Sequence, residues 1–236
     1  MKALALLLIA AALLVPNVAL AQDDVVIVTA QRSDRGDFNE YYDDDQSAIG
    51  LTRQADFFVK PLYVSSDSRD PAVRREELLT MLRATIDRAR AQGVALVAGD
   101  YTLEPVTLSS IDDLDITSGR RPDTSRVQIY ARLPVGGSVK SVDLADKRIQ
   151  EFVKSVPATG RSYIETGSTG LAISNPDQYR LAVVRTIAAE AKSYAAQFGG
   201  DYGIEIRGLD SELFWQQASE TEVFLYIEHN FVIAPK

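Results

Sequence analysis

The chain is predicted to be an α+β protein, a mainly antiparallel sheet with three helices packed on one face. Two observations carry this. Segments with the two-residue alternation of strands and segments with helical spacing follow one another in the order β-α-β-β-α-β-α-β-β. Each helical segment carries a single apolar stripe, so each covers one sheet face and no more.

A leader precedes that domain. In "MKALALLLIAAALLVPNVALA", Lys2 gives the positive start, Ala3 to Val15 the apolar run, Pro16 the break, and Ala19-Leu20-Ala21 the small-x-small cleavage site. The apolar run, about 13 residues, is short for a permanent span, which needs about 20. Residues 1–21 therefore read as a signal peptide cleaved after Ala21, and the destination as the periplasm. The mature chain has no Cys, so neither disulfides nor thiolate metal sites nor Cys nucleophiles are available. A formal charge of −8 argues against nucleic-acid backbones and anionic membrane surfaces as partners. No second apolar run reaches transmembrane length.

Residues 22–53 read as a flexible acidic segment. "SDRGDFNEYYDDDQSAIGLTR" has neither the strand nor the helix period and few aliphatic residues. A calcium loop starting at Asp43 would need Gly at its sixth position and Glu at its twelfth. Ala48 and Gln54 stand there instead, so the motif fails.

The domain is expected over 54–236. "ADFFVKPLYVSS" alternates as a strand whose Pro61 implies an edge or a bulge. Asp70 as N-cap, Pro71 at the first helical position and Gly93 at the stop bound the first helix. Its stripe is Leu79, Leu82, Ile86 and Ala89, and Arg74, Glu77, Asp87 and Arg88 make a solvated side. "VALVAGDYTLEPVTLS" and "SRVQIYARLPV" are strands, with the hairpin tip "GRRPDT" before the second. The pair Arg120-Arg121 at that tip could hold an anion or simply be solvated. Asp143 is placed to cap the second helix, which buries Ile149, Phe152, Val153 and Val156. "RSYIETGSTGLAIS" is strand around a Gly-rich bend, and Asn175-Pro176-Asp177 opens the third helix. That helix presents Leu181, Val184, Ile187, Ala188, Ala191 and Ala195 as a seam of small residues, and Gly199-Gly200 ends it.

The tail ends in "TEVFLYIEHNFVIAPK", read as one long strand. Val223, Leu225, Ile227, His229, Phe231 and Ile233 share one face, and Phe224, Tyr226 and Val232 lie on the other. Both faces are apolar, which suits a central strand or one meeting a second subunit, so a homo-oligomer is expected.

With the third helix "LAVVRTIAAEAKSYAAQFGGDYGI" and the closing "VFLYIEHNFVI" in place, residues 55 to 234 resemble the SIMPL family (DUF541) of bacterial periplasmic and surface proteins. The family's opening Gly-rich strand and Pro-Asp turn are replaced here by "ADFFVKPLYVSSDSRDP". The resemblance implies an α+β domain, assembly into rings, a link to stress resistance and no established catalytic residues.

Chemistry-bearing patterns are sparse. His229 is the only His, which leaves no His-based zinc site and makes a satisfied core or interface side chain the simpler role. "GSTG" at 167–170 lacks the nucleophile-elbow pattern, and neither a phosphate loop nor a dinucleotide fingerprint occurs. No cofactor is therefore expected and no catalytic residue is assigned. Glu165, Glu205, Glu212 and Glu220 are the carboxylates from which a glycan hydrolase would have to build its pair. Trp215 with Phe214 and Tyr226 could form a sugar platform or an aromatic core corner.

The segment "DDVVIVTAQR" remains. It resembles the TonB box of TonB-dependent outer-membrane receptors, with Val25, Val26, Ile27, Val28, Thr29 and Ala30 matching in type and position. The resemblance implies a partner-binding segment that adds as a strand to another protein's sheet edge. The alternative is a peripheral strand docking on this chain's own sheet or on a neighbouring subunit. The sequence thus points to a non-enzymatic envelope assembly or interaction protein, with an accessory of TonB-dependent transport as the first alternative and a carboxylate-based glycan hydrolase as the second.

Overall fold

The computed structural model describes Val25–Val28 and residues 49–236 other than 100, 101, 120 and 122. The leader with its cleavage site, the tract around Asp43 to Asp45, and Thr29, Ala30 and Arg120 lie outside the described residues. Three helices and antiparallel strands are present, as an α+β fold requires. Among the described residues the strands form three sheets, not one.

The large sheet has eight strands. β1 (Val25–Val28), β3 (Phe57–Ser66), β4 (Ala95–Ala98), β5 (Glu104–Pro105), β7 (Ser125–Pro134) and β9 (Gly170–Ser174) run in the order β1-β9-β3-β7-β4-β5. β6 (Thr117–Ser118) also pairs with β7, and β8 (Ser162–Thr166) also pairs with β3. β2 (Gly50–Gln54), β11 (Leu213–Gln217) and β12 (Glu222–Ile227) make a three-stranded sheet, and β10 (Tyr202–Arg207) with β13 (Asn230–Pro235) a ribbon.

Order therefore begins earlier than expected. Residues 50–53, read as linker, belong to β2, which pairs with β12 from Gln54↔Glu222 to Gly50↔Tyr226. Gly50 permits this pairing. A Cβ there would stand 2.3 Å from the Leu225 carbonyl oxygen and 2.6 Å from the Phe224 ring.

α1 (Pro71–Gln92) starts and stops where its signals stand. The Asp70 carboxylate accepts the N–H groups of Ala72 at 2.8 Å and Val73 at 3.0 Å, and Gly93 takes the left-handed conformation with φ 66°. α2 (Val142–Ser155) is capped two residues earlier than expected, because Ser141, not Asp143, accepts the Leu144 N–H. α3 (Arg180–Ala196) follows a 3-10 turn at Pro176–Tyr179, so the Asn-Pro-Asp signal opens that turn, not the α-helix. The buried seam of α3 is Val183, Ile187, Ala191 and Ala195, at strict four-residue spacing; Leu181 and Ala188 lie off it, exposed.

One core joins these parts. Phe58, Leu62 and Val64 of β3, Ile129 and Leu133 of β7, Leu82 of α1, Ile149 and Phe152 of α2, Ile187 of α3 and Leu225 of β12 are all fully buried or nearly so. Each such side chain contributes about 1.5–3 kcal/mol on burial. α1 and α2 lie on the large sheet, and α3 covers the smaller sheets. The opposite face of the large sheet carries a second, small cluster, Val59, Val97, Leu103 and Ala172 with Phe57 and Tyr130.

The tail strand is broken. β12 ends at Ile227, Glu228 and His229 turn, and β13 joins a different sheet. Val232 therefore does not continue the face of Phe224 and Tyr226. Those two rings stack on each other at 5.6 Å, as Phe214 does on Tyr226, while Val232 stays exposed on the ribbon.

Candidate functional site

Of the segment singled out in the sequence, the structure describes Val25–Val28. Among the described residues, Val25–Val28 forms the outermost strand of the large sheet, antiparallel to β9, with Val25↔Ser174, Val26↔Ile173, Ile27↔Ala172 and Val28↔Leu171. Which way its backbone groups face follows from β9. The Ala172 carbonyl accepts the Asp56 N–H at 3.1 Å and the Ser174 N–H donates to the Asp56 carboxylate at 2.8 Å, both on the β3 side. Main-chain groups alternate along a strand, so Leu171 and Ile173 face β1. Val26 and Val28 are then the residues bonded to β9, and Val25 and Ile27 turn their N–H and C=O groups outward.

The β9 edge is itself held by a bulge. β8 and β9 both pair with β3, from Ser66↔Ser162 to Leu62↔Thr166 and from Val59↔Gly170 to Phe57↔Ala172. Between them Gly167, Ser168 and Thr169 stand opposite only Lys60 and Pro61, one residue in excess. Pro61 fits this gap. Its carbonyl accepts the Gly167 N–H at 2.9 Å, and its ring brings no N–H that the interrupted ladder would have to satisfy.

Lys60 locks the bulge from inside. It is only 4% exposed, and its Nζ donates to Asp146 Oδ1 of α2 at 2.8 Å and to Thr169 Oγ1 at 3.4 Å. Thr169 Oγ1 donates in turn to the same carboxylate oxygen. Burial pushes the Asp146 carboxyl up, but the hydrogen bonds from Lys60 and Thr169 outweigh it and hold the group below the ordinary range. A lone Lys inside the apolar run "FFVKPLYV" is the sequence signal for this cluster, and pattern reading passed over it.

The solvated side expected on α1 is wrong at two positions. Glu77 accepts from Ser66 Oγ at 2.7 Å and Ser68 Oγ at 2.6 Å, which lowers its carboxyl pKa. Arg74 reaches Ser125 Oγ at 3.0 Å and the Ser68 carbonyl at 2.8 Å. Together they fasten α1 to the ends of β3 and β7.

The open face of the large sheet holds a polar depression of about 310 Å³, lined by Ser65, Asp67, Arg121, Arg126, Tyr163 and Glu165 among others. Arg121 of the hairpin tip thus stands at a cavity rim. A second one of about 660 Å³ shares Arg126 and includes Glu104, Asp113 and Tyr130. Arg126 lies over the Tyr63 ring at 5.0 Å. Asp67 is bonded by Arg161 at 2.6 Å, which holds its carboxyl below the usual range. A general acid needs the opposite shift.

The four candidate carboxylates are not brought together. Glu165 lines the smaller depression, Glu205 pairs with Arg207 at 2.8 Å on the exposed ribbon, and Glu212 and Glu220 stand exposed on either side of β11. Trp215 packs against the main core, whereas Phe214 stacks on Tyr226, so the three rings form no shared platform. His229 Nδ1 donates to the Ile227 carbonyl at 2.7 Å, which ties the ring to the turn between β12 and β13. Among the described residues, no group of three or more His, Asp or Glu could hold a metal ion, and no helix is long and apolar enough to cross a membrane.

No family model, curated protein or solved structure matches this chain. What the site can do chemically is pair strands.

Proposed function

We propose that this chain is an exported, non-enzymatic assembly or interaction protein of the cell envelope, related in plan to the SIMPL proteins, that works by strand pairing through Val25–Val28. The observation that carries the reading is the seating of that segment as the outer strand of an eight-stranded sheet. The edge ends on β-branched residues with no charge and no Pro, the devices that normally blunt an edge. A non-enzymatic role is supported by the separation of Glu165, Glu205, Glu212 and Glu220, which the fold does not bring together into a pair. Export to the periplasm is supported by the leader, and self-association by the exposed ribbon residues Val232 and Tyr202.

The test is capture from envelope extracts with the mature chain and with a variant lacking Val25 to Ala30. The reading expects at least one envelope protein, or the chain itself, to be retained only by the intact segment. Identical retention by both would sink it.

The outward groups of Val25 and Ile27 also favour a second reading, an accessory of TonB-dependent transport. A peptide covering Gln22 to Arg35 would then bind the periplasmic domain of TonB. Absence of binding at millimolar peptide, short of about −4 kcal/mol, would end that reading and leave the first intact.

A further inference from the structure

The two ends of the large sheet differ. One closes on β5, two residues long and carrying Glu104 and Pro105. Such an edge resists addition of a strand, because it is short, charged and lacks one N–H. The other end is β1, Val-Val-Ile-Val, with two residues turned outward. Among the described residues, a further strand can therefore add to this sheet at β1 and not at β5.

We propose that the open edge of β1 takes the β1 of a second copy of this chain, antiparallel and centred on Val26, joining two eight-stranded sheets into one. The proposal rests on the reading of the chain as a strand-pairing protein and names the partner. The register follows from the outward groups. In a two-fold pairing, an outward residue must meet an outward residue if both are to exchange hydrogen bonds. Centring on Val26 sets Val25 opposite Ile27 of the partner and Ile27 opposite Val25, so both outward residues of each copy are used. Four main-chain hydrogen bonds result, and Val26 faces its own symmetry mate as a non-hydrogen-bonded pair. The strand has β-branched residues at every position, so this antiparallel pairing puts like beside like, which suits cross-strand packing. The contact is isologous, so it closes at two copies.

The full mature chain carries no Cys, so one introduced thiol reads out unambiguously. At a non-hydrogen-bonded pair the Cα atoms stand about 4.5 Å apart, inside the disulfide range of about 4.4–6.8 Å. Val26→Cys is expected to oxidise to a covalent dimer at least tenfold faster than Val28→Cys. In the proposed register the two Val28 positions lie about four residues apart, roughly 13 Å. Ile27→Pro, which removes an outward donor and spares the bonds to β9, is expected to abolish the cross-link of Val26→Cys and the dimer mass in light scattering. Unchanged melting of each variant shows that the domain still folds. The proposal is overturned if Val26→Cys stays monomeric under oxidant, if Val28→Cys cross-links as fast, or if Ile27→Pro leaves the dimer intact. Failure here with segment-dependent capture of another envelope protein would remove self-pairing alone.

Discussion

Ile27 stands opposite Ala172, yet the Ala172 carbonyl points away from it and accepts the Asp56 N–H at 3.1 Å. That one bond fixes which residues of the N-terminal strand bond to β9 and which turn their main-chain groups outward. It also makes Asp56, between β2 and β3, the residue that positions β9, since its carboxylate takes the Ser174 N–H as well.

The Lys60–Asp146 pair should respond asymmetrically to truncation. Asp146→Ala leaves a nearly buried ammonium without its counter-ion and is expected to cost about 3 kcal/mol. Lys60→Met leaves a carboxylate whose side chain is 34% exposed and still bonded to Thr169, and should cost about 1 kcal/mol. Urea denaturation of both variants checks the order, and equal losses would contradict the burial argument.

Gly50→Val should destabilise by about 2 kcal/mol, because the added atoms meet backbone at Leu225 as well as the Phe224 ring. Trimming the ring by Phe224→Ala is not expected to restore stability, since the carbonyl cannot withdraw. Full rescue in the double variant would show that β12 is looser than described.

Acid should weaken the fold. Asp67, Glu77 and Asp146 have carboxyl pKa values below their unfolded values of 3.8, 4.5 and 3.8. The unfolded chain therefore binds more protons in this range, and the stabilisation is fully present above about pH 5.5 and lost as pH falls through the folded values. Melting temperature should fall between pH 6 and pH 3, and less steeply in Glu77→Gln than in the parent. A flat profile in the parent would contradict the assigned hydrogen bonds.

Chelator treatment is expected to leave the melting temperature within about 2 °C, since a loss of 1 kcal/mol would move a domain of this size by roughly 2–4 °C. A larger drop would point to the acidic residues around Asp43 to Asp45 as ligands.

Much of the fold was legible because its signals are local. Asp70, Pro71 and Gly93 fix α1 by capping and backbone conformation alone. What pattern reading missed depends on distant partners. Gly50 looks like linker until β12 arrives to pair with it, and the one-strand tail looks continuous until Glu228 and His229 turn it. Glu77 looks solvated because helical periodicity cannot show Ser66 and Ser68 waiting above it. Pro61 was read correctly as a bulge or edge, yet the residues opposite it and the Lys60 lock were invisible without the register. For Val25 to Val28 the sequence left two roles open, and the docking on β9 is the seating that the peripheral-strand alternative expects.

The most direct test of the account is amide hydrogen exchange at Leu171 and Ile173, followed residue by residue in the mature chain and in the variant lacking Val25 to Ala30. Both N–H groups face β1, whereas the Ala172 and Ser174 groups face β3. Leu171 and Ile173 are expected to be protected in the mature chain and to exchange at least tenfold faster without the segment, while Ser174 stays unchanged. Equal exchange of Leu171 and Ile173 in both proteins would show that the N-terminal strand does not sit on this edge, and the strand-pairing function would fall with it.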